Sequence, residues 1–100
     1  MSYGKRRTKE GTASAQVSTS GIAARLLWLN FYAVTNGDNL EIRNGGATGT
    51  VIFTLVVGAY GNAYVGPFPE KDAPVFGADL YVKCNGTGTY QWNATYMELE

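Results

Sequence analysis

The sequence predicts an all-β fold: a small antiparallel β-sandwich or barrel, jelly-roll-like, of six to seven short strands with an extended N-terminal arm. Three observations predict it. Short segments rich in branched and aromatic residues recur along the chain, turn signals separate them at intervals of about 8–12 residues, and no long helical period connects them. A chain of 100 residues is sufficient for one domain with a modest core.

The N-terminal segment differs in composition from the rest of the chain. Residues 1–11 have no apolar periodicity, so we expect them to be disordered. Residues 12–21 are small and weakly hydrophobic, and they could form an edge strand or an extended tail that becomes ordered on a partner. The sequence therefore predicts a flexible basic arm over residues 1–21 and a β-sandwich domain over residues 22–100.

The first half of the domain begins with residues 24–35, which are apolar on both alternating faces. Such a run could be a buried helix or a buried strand. The Asn36-Gly37 pair that follows is a strong hairpin-turn signal, and residues 40–44 alternate cleanly between apolar and polar, so a strand is favoured. Residues 50–57 form the clearest strand, and their partly polar second face fits a central strand or one partly covered by a neighbour.

The second half contains shorter strands and one charged loop. Residues 63–65 begin a strand that residues 66–69 end, residues 70–74 form a charged surface loop, and residues 75–76 are a brief strand. Two longer strands close the chain. Their inward residues are predicted to be Leu80, Val82 and Cys84 in residues 78–84, and Tyr90, Trp92, Ala94 and Tyr96 in residues 89–99.

Charge is unevenly distributed although the formal net charge is zero. Lys5, Arg6, Arg7 and Lys9 stand against the single acid Glu10 in the first ten residues, and the other ninety hold four basic and seven acidic side chains. The basic cluster could bind nucleic acid, lie against a protein partner, or only solubilise the chain. The acidic body disfavours nucleic acid, so we take these four cations as candidate partner-binding residues.

The residue types argue against an enzyme. The chain has no histidine and one cysteine, Cys84, which leaves no ordinary general base, no internal disulfide and no metal cluster around the thiol. Cys84 is expected to be a small buried hydrophobe. Asp38 and Glu41 are interpreted as solvated residues beside a turn rather than a catalytic carboxylate pair. A small hydrolase is therefore disfavoured, and no metal or other cofactor is predicted.

Four aromatic residues, Trp28, Tyr90, Trp92 and Tyr96, could line a sugar-binding face. Their alternation favours core packing instead, which predicts a loss of about 3–5 kcal/mol for Trp28→Ala. Exposed aromatic residues on one face would favour the alternative function, a carbohydrate- or receptor-binding module of a head fibre or tail.

The order of turns and strands from Leu26 to Tyr96 resembles that of short structural proteins of tailed bacteriophages. The segments that carry the resemblance are residues 35–38, 40–43, 45–49, 50–55, 66–69, 79–82 and 87–89. The resemblance implies a virion component and, more specifically, a capsid decoration or cement protein. Such proteins are all-β, often trimeric, and frequently hold capsid subunits through a terminal arm. No signal peptide is recognised at the N-terminus, so assembly in the host cytoplasm is expected.

Overall fold

The computed structural model describes residues 6–99 of the chain, which contain nine strands and one short turn of 3-10 helix. The strands are β1 (Arg6–Gly11), β2 (Ala15–Gln16), β3 (Ala24–Ala33), β4 (Asn39–Asn44), β5 (Thr50–Val56), β6 (Gly61–Val65), β7 (Val75–Phe76), β8 (Leu80–Asn85) and β9 (Tyr90–Glu98). The 3-10 turn covers Glu70–Asp72. Within residues 6–99, no helix is long and apolar enough to cross a membrane.

The strands form two antiparallel sheets. Sheet A has the order β1-β9-β3-β6, with β7 also paired to β3, and sheet B has the order β2-β8-β4-β5. Most pairs of consecutive strands lie in different sheets, so the chain passes back and forth between them, while β4 and β5 form a hairpin within sheet B. This winding is that of a jelly roll. The predicted small antiparallel β-sandwich is therefore confirmed.

The core lies between the two sheets and follows the period-two alternation of the central strands. In β9 the buried residues are Trp92, Ala94 and Tyr96, as the sequence predicts, and Trp92 is completely buried. Leu80 and Val82 of β8 face them from sheet B, and Cys84 packs partly buried against the same cluster. The inward alternation predicted for the two C-terminal strands is confirmed.

A β-bulge in β3 explains why residues 24–35 are apolar on both faces. Leu26 pairs with Tyr96 but Trp28 pairs with Thr95, so Leu27 is an extra residue in the ladder. Even-numbered residues point inward before the bulge, whereas odd-numbered residues, from Leu29 onward, point inward after it. Leu27 is buried on the other side of sheet A.

A loop covers one end of the outer face of sheet A. Leu27 and Met97 form a second, smaller cluster there with Ala73 and the partly buried Phe68. The backbone amide of Phe68 donates to the carbonyl of Leu27 at 2.9 Å. The segment 66–74 thus returns across sheet A instead of extending into solvent.

The expectation of disorder over residues 1–11 is wrong for residues 6–11. These residues form β1, which pairs with β9 from Arg6 opposite Met97 to Gly11 opposite Trp92. Backbone hydrogen bonds to the long strand β9 hold β1 in place, and such pairing does not require an apolar sequence pattern in β1. Residues 1–5, including Lys5, lie outside the described residues. The division of the chain into an arm over residues 1–21 and a domain over residues 22–100 stays a prediction.

Two further details differ from the sequence prediction. The edge-strand alternative for residues 12–21 is confirmed, because Ala15–Gln16 pairs with β8 as β2. The described residues contain nine strands instead of six to seven, because β1 and the two-residue β2 carry no hydrophobic alternation that the sequence could reveal.

Candidate functional site

The outer strands of the two sheets are the first place to look for an interaction site. An edge strand presents unpaired backbone N–H and C=O groups, which can pair with another chain. In residues 6–99, the two ends of the sheet A path are β1 and β6, and those of sheet B are β2 and β5.

Three of these edges carry features that oppose pairing. β1 contains Arg6, Arg7 and Lys9, and charged side chains on an edge hinder the approach of a second strand. β6 has only five residues and is followed by Gly66-Pro67. β2 has only two residues.

The fourth edge, β5, has none of these three features, although Ile52 forms a bulge in its pairing with β4. Thr50–Val56 contains no charged residue and no proline, and it is seven residues long. Val51, Ile52 and Val56 are 40%, 44% and 61% exposed. We call Thr50–Val56 the free edge. The sequence suggested a central strand or one partly covered by a neighbour, and the structure places this strand at the border of sheet B.

The basic residues of β1 are held by contacts within the chain. Arg6 Nε lies 2.8 Å from Glu70 Oε2, and Arg7 Nε lies 3.4 Å from Glu98 Oε1. Lys9 Nζ donates to the carbonyl of Gln16 at 2.7 Å. All three side chains are nevertheless exposed, so they stay candidates for contacts with a partner.

Glu98 is the best anchored acid in this region. Its Oε2 accepts a hydrogen bond from the Thr19 amide at 2.6 Å. Hydrogen bonds from Thr19, together with the charge of Arg7, lower the pKa of the Glu98 carboxyl. This carboxylate therefore ties residues 18–20 to the end of β9.

Cys84 has the surroundings of a packing residue. It lies partly buried against the core, and burial raises the pKa of its thiol to about 11. A thiol with so high a pKa is a poor nucleophile at neutral pH. The predicted packing role is confirmed, but Cys84 is only partly buried.

Asp38 departs from the prediction of a solvated residue, because its side chain is almost completely buried. Its Oδ2 accepts a hydrogen bond from the Gly88 amide at 3.1 Å. The carboxylate thus fastens the β3–β4 turn to the β8–β9 turn. Glu41 lies on β4 and pairs with Arg43, whose Nε is 2.9 Å from Glu41 Oε1, and this contact lowers the pKa of Glu41. The two acids have separate structural roles.

The four aromatic candidates do not form one face. Trp92 and Tyr96 are buried, and Trp92 Nε1 donates to the carbonyl of Ala13 at 2.9 Å. Tyr90 packs partly buried against the core, 6.1 Å from Phe31 between ring centroids. The core assignment is therefore confirmed for these three. It is wrong for Trp28, which the bulge in β3 turns to the outer face of sheet A, where it is half-buried.

The part of the chain that the structure describes contains no group of three or more acidic, cysteine or histidine residues that could hold a metal ion.

Comparison with known proteins supports the fold. No protein-family model and no curated protein matches the sequence. Among solved structures, a chain from the Bacillus endospore appendages, described as a novel family of disulfide-linked pili, is similar with a TM-score of 0.55 and 17% identity. The match covers 96% of this chain and 87% of that chain. The likeness shows a shared small all-β fold, and the resemblance to phage proteins stays a hypothesis.

Proposed function

We propose that this chain is a non-enzymatic structural subunit that joins a larger protein assembly through the free edge. The observation that carries the proposal is the combination of unpaired backbone with the exposed Val51, Ile52 and Val56 on β5. A strand of a neighbouring subunit would complete the hydrogen bonds of β5 and remove these side chains from water. The similar appendage protein, which belongs to a pilus, supports a role in assembly.

Within this class we place the chain as a decoration or cement protein of a tailed-phage capsid, the role that the family resemblance implies. Its partners would be capsid subunits and further copies of itself, with a trimer as the favoured oligomer. The low content of charged residues, 16% against about 25% in typical domains, supports a surface that is partly covered in the assembly.

The basic cluster would provide a second contact in this assembly. Arg6, Arg7 and Lys9 lie on β1, at the border of sheet A, and Lys5 precedes them in the sequence. Because these cations lie on a strand of the sandwich, they would present a fixed basic edge to an acidic capsid surface.

Assembly of this chain would be non-covalent. The 100 residues contain one cysteine, so a disulfide could join each copy to one neighbour at most. The partial burial of Cys84 and the raised pKa of its thiol oppose even that bond. In this respect the chain differs from the disulfide-linked pili to which its fold is similar.

The role of the free edge is tested by light scattering coupled to size-exclusion chromatography, alone and with empty capsids. The double variant Ile52→Lys/Val56→Lys places two charges on β5, and we expect it to lose self-association and capsid binding while keeping its melting temperature. Ile22→Lys is the matched control, because Ile22 is 37% exposed and lies outside the strands. Association by the double variant equal to that of Ile22→Lys would contradict the proposal.

The basic cluster needs a substitution test, because removal of residues 1–15 would delete β1 together with Ala15 of β2. Replacement of Lys5, Arg6, Arg7 and Lys9 by glutamine should lower capsid occupancy without unfolding the chain, since exposed ion pairs contribute only about 0–1 kcal/mol each. Lys71→Gln/Lys83→Gln removes two other cations as a control. Full capsid occupancy by the fourfold variant would exclude the cluster as a contact.

A further inference from the structure

The outer face of sheet A carries uncharged polar and aromatic side chains in register. On β3, Asn30 lies opposite Tyr64 of β6 and Asn93 of β9, and Tyr32 lies opposite Asn62 and Gln91. Directly opposed residues of antiparallel strands share a face, and the buried residues of β3 and β9 alternate with these, so all six point away from the core. We call Asn30, Tyr32, Asn62, Tyr64, Gln91 and Asn93 the amide face.

The amide face is concave. A depression of about 310 Å³ is lined by five of its residues, and its volume lies at the lower end of the range of about 300–1,000 Å³ for ligand sites. A second depression of about 340 Å³ is lined by Thr8–Glu10 and Asn93. Asn93 borders both depressions, so they adjoin, and together they extend across β6, β3, β9 and β1, a width of about 14 Å at about 4.8 Å per strand. We call the two adjoining depressions the groove.

The amide groups of this groove have hydrogen-bonding capacity to spare. Each side-chain amide offers two N–H donors and an oxygen with two lone pairs. Within residues 6–99, the side-chain hydrogen bond that joins two members of the face runs from Asn30 Nδ2 to Asn62 Oδ1 at 3.4 Å, which is long. Elsewhere in the described part of the chain, no side-chain hydrogen bond engages the amides of this face, so they can bind a ligand.

We propose that the amide face binds a neutral oligosaccharide. Adjacent hydroxyl groups of a sugar both donate and accept hydrogen bonds, which matches paired amide donors and acceptors. The rings of Tyr32 and Tyr64 can pack against the apolar C–H faces of sugar rings. Tyr64 is 65% exposed, so its ring is available at the border of the groove.

The charges around the groove select against anionic ligands. Lys9 borders the second depression, but its Nζ is bound to the Gln16 carbonyl, and Glu10 adds a negative charge at the same end. Nucleic acids and acidic glycans need basic partners for their phosphates or carboxylates. A second protein copy fits poorly too, because protein interfaces place apolar residues at the centre and polar ones at the rim, whereas this groove is lined largely by amides.

The proposal does not depend on assembly through the free edge, which lies on sheet B. Purified full-length chain is applied to an array of neutral and sialylated glycans, and the best neutral glycan is then titrated by calorimetry. We expect neutral glycans to bind. Asn93→Thr, which keeps a residue suited to a strand, and Tyr32→Ala should each weaken binding by about tenfold or more. Tyr81→Ala, on sheet B, is the matched control and should bind as the wild type does.

Several results would overturn the inference. These are the absence of binding to every neutral glycan on the array, binding confined to sialylated glycans, and equal affinity of Asn93→Thr and wild type. Loss of self-association in Asn93→Thr, without glycan binding by the wild type, would assign the face to a second copy instead. Melting curves of all variants establish that each one is folded.

Discussion

The contact between the β3–β4 and β8–β9 turns gives the sharpest stability prediction. Gly86 has φ +141°, and a Cβ at this position would overlap the carboxyl group of Asp38. Gly86→Ala should therefore cost backbone strain of about 1–3 kcal/mol and a further 1–3 kcal/mol or so for overpacking. A total of about 2–6 kcal/mol is a large part of the stability of about 5–15 kcal/mol expected for a small domain.

A matched control and a double-mutant cycle separate the two costs. Gly37 also has a positive φ, +88°, but no atom lies within 4 Å of its added Cβ, so Gly37→Ala should cost about 1–2 kcal/mol of strain alone. Asp38→Ala removes the hydrogen bond to Gly88 and should cost about 1.5–3 kcal/mol. With Asp38→Ala in the background, Gly86→Ala no longer meets a carboxyl group.

Urea unfolding of the four variants tests this reasoning. The double variant Asp38→Ala/Gly86→Ala should be more stable than the sum of the single effects predicts, by about 1–3 kcal/mol, which is the overpacking cost that the loss of the carboxyl group relieves. Additive effects, or a Gly86→Ala cost equal to that of Gly37→Ala, would refute a packed contact between the two turns.

Two further predictions concern single side chains. Trp92 is completely buried, so Trp92→Ala should lower the free energy of unfolding in urea by about 3–5 kcal/mol. Trp28 is only half-buried, so Trp28→Ala should lower it clearly less. The reverse order would contradict the bulge in β3. The lowered pKa of Glu98 predicts stability that is fully present above the pKa of the unfolded chain and lost as the pH falls through the folded value. In Glu98→Gln the melting temperature should fall less steeply as the pH is lowered. An unchanged acid dependence of the melting temperature would show that the Thr19 contact does not stabilise the fold.

The sequence predicted the structure correctly where neighbouring residues along the chain determine it. Alternation placed Trp92, Ala94 and Tyr96 inward, because side chains on a strand point to opposite faces in turn. Turn residues such as Asn36-Gly37 set the strand boundaries through backbone preferences that need no tertiary contact. Cys84 was correctly assigned to the core for the same reason.

The prediction from the sequence was wrong where contacts between segments far apart in the chain determine the structure. β1 has a polar, charged sequence and is a strand because β9 offers it backbone partners. Asp38 is buried because the turn at Gly86–Gly88 lies over it, some fifty residues along the chain. The apolar residues on both faces of residues 24–35 do not locate the bulge at Leu27, which reverses the faces of β3 and moves Trp28 out of the core.

The sequence by itself determined the seven strands from β3 to β9, their turns, the jelly-roll-like class and the absence of histidine chemistry, since these depend on residue type and spacing. Only the tertiary structure decided which strand is left at a sheet border and which side chains share an outer face. Both depend on the pairing of strands far apart in sequence. The free edge of β5 and the amide face of sheet A, the two surfaces on which the proposals rest, are products of that pairing.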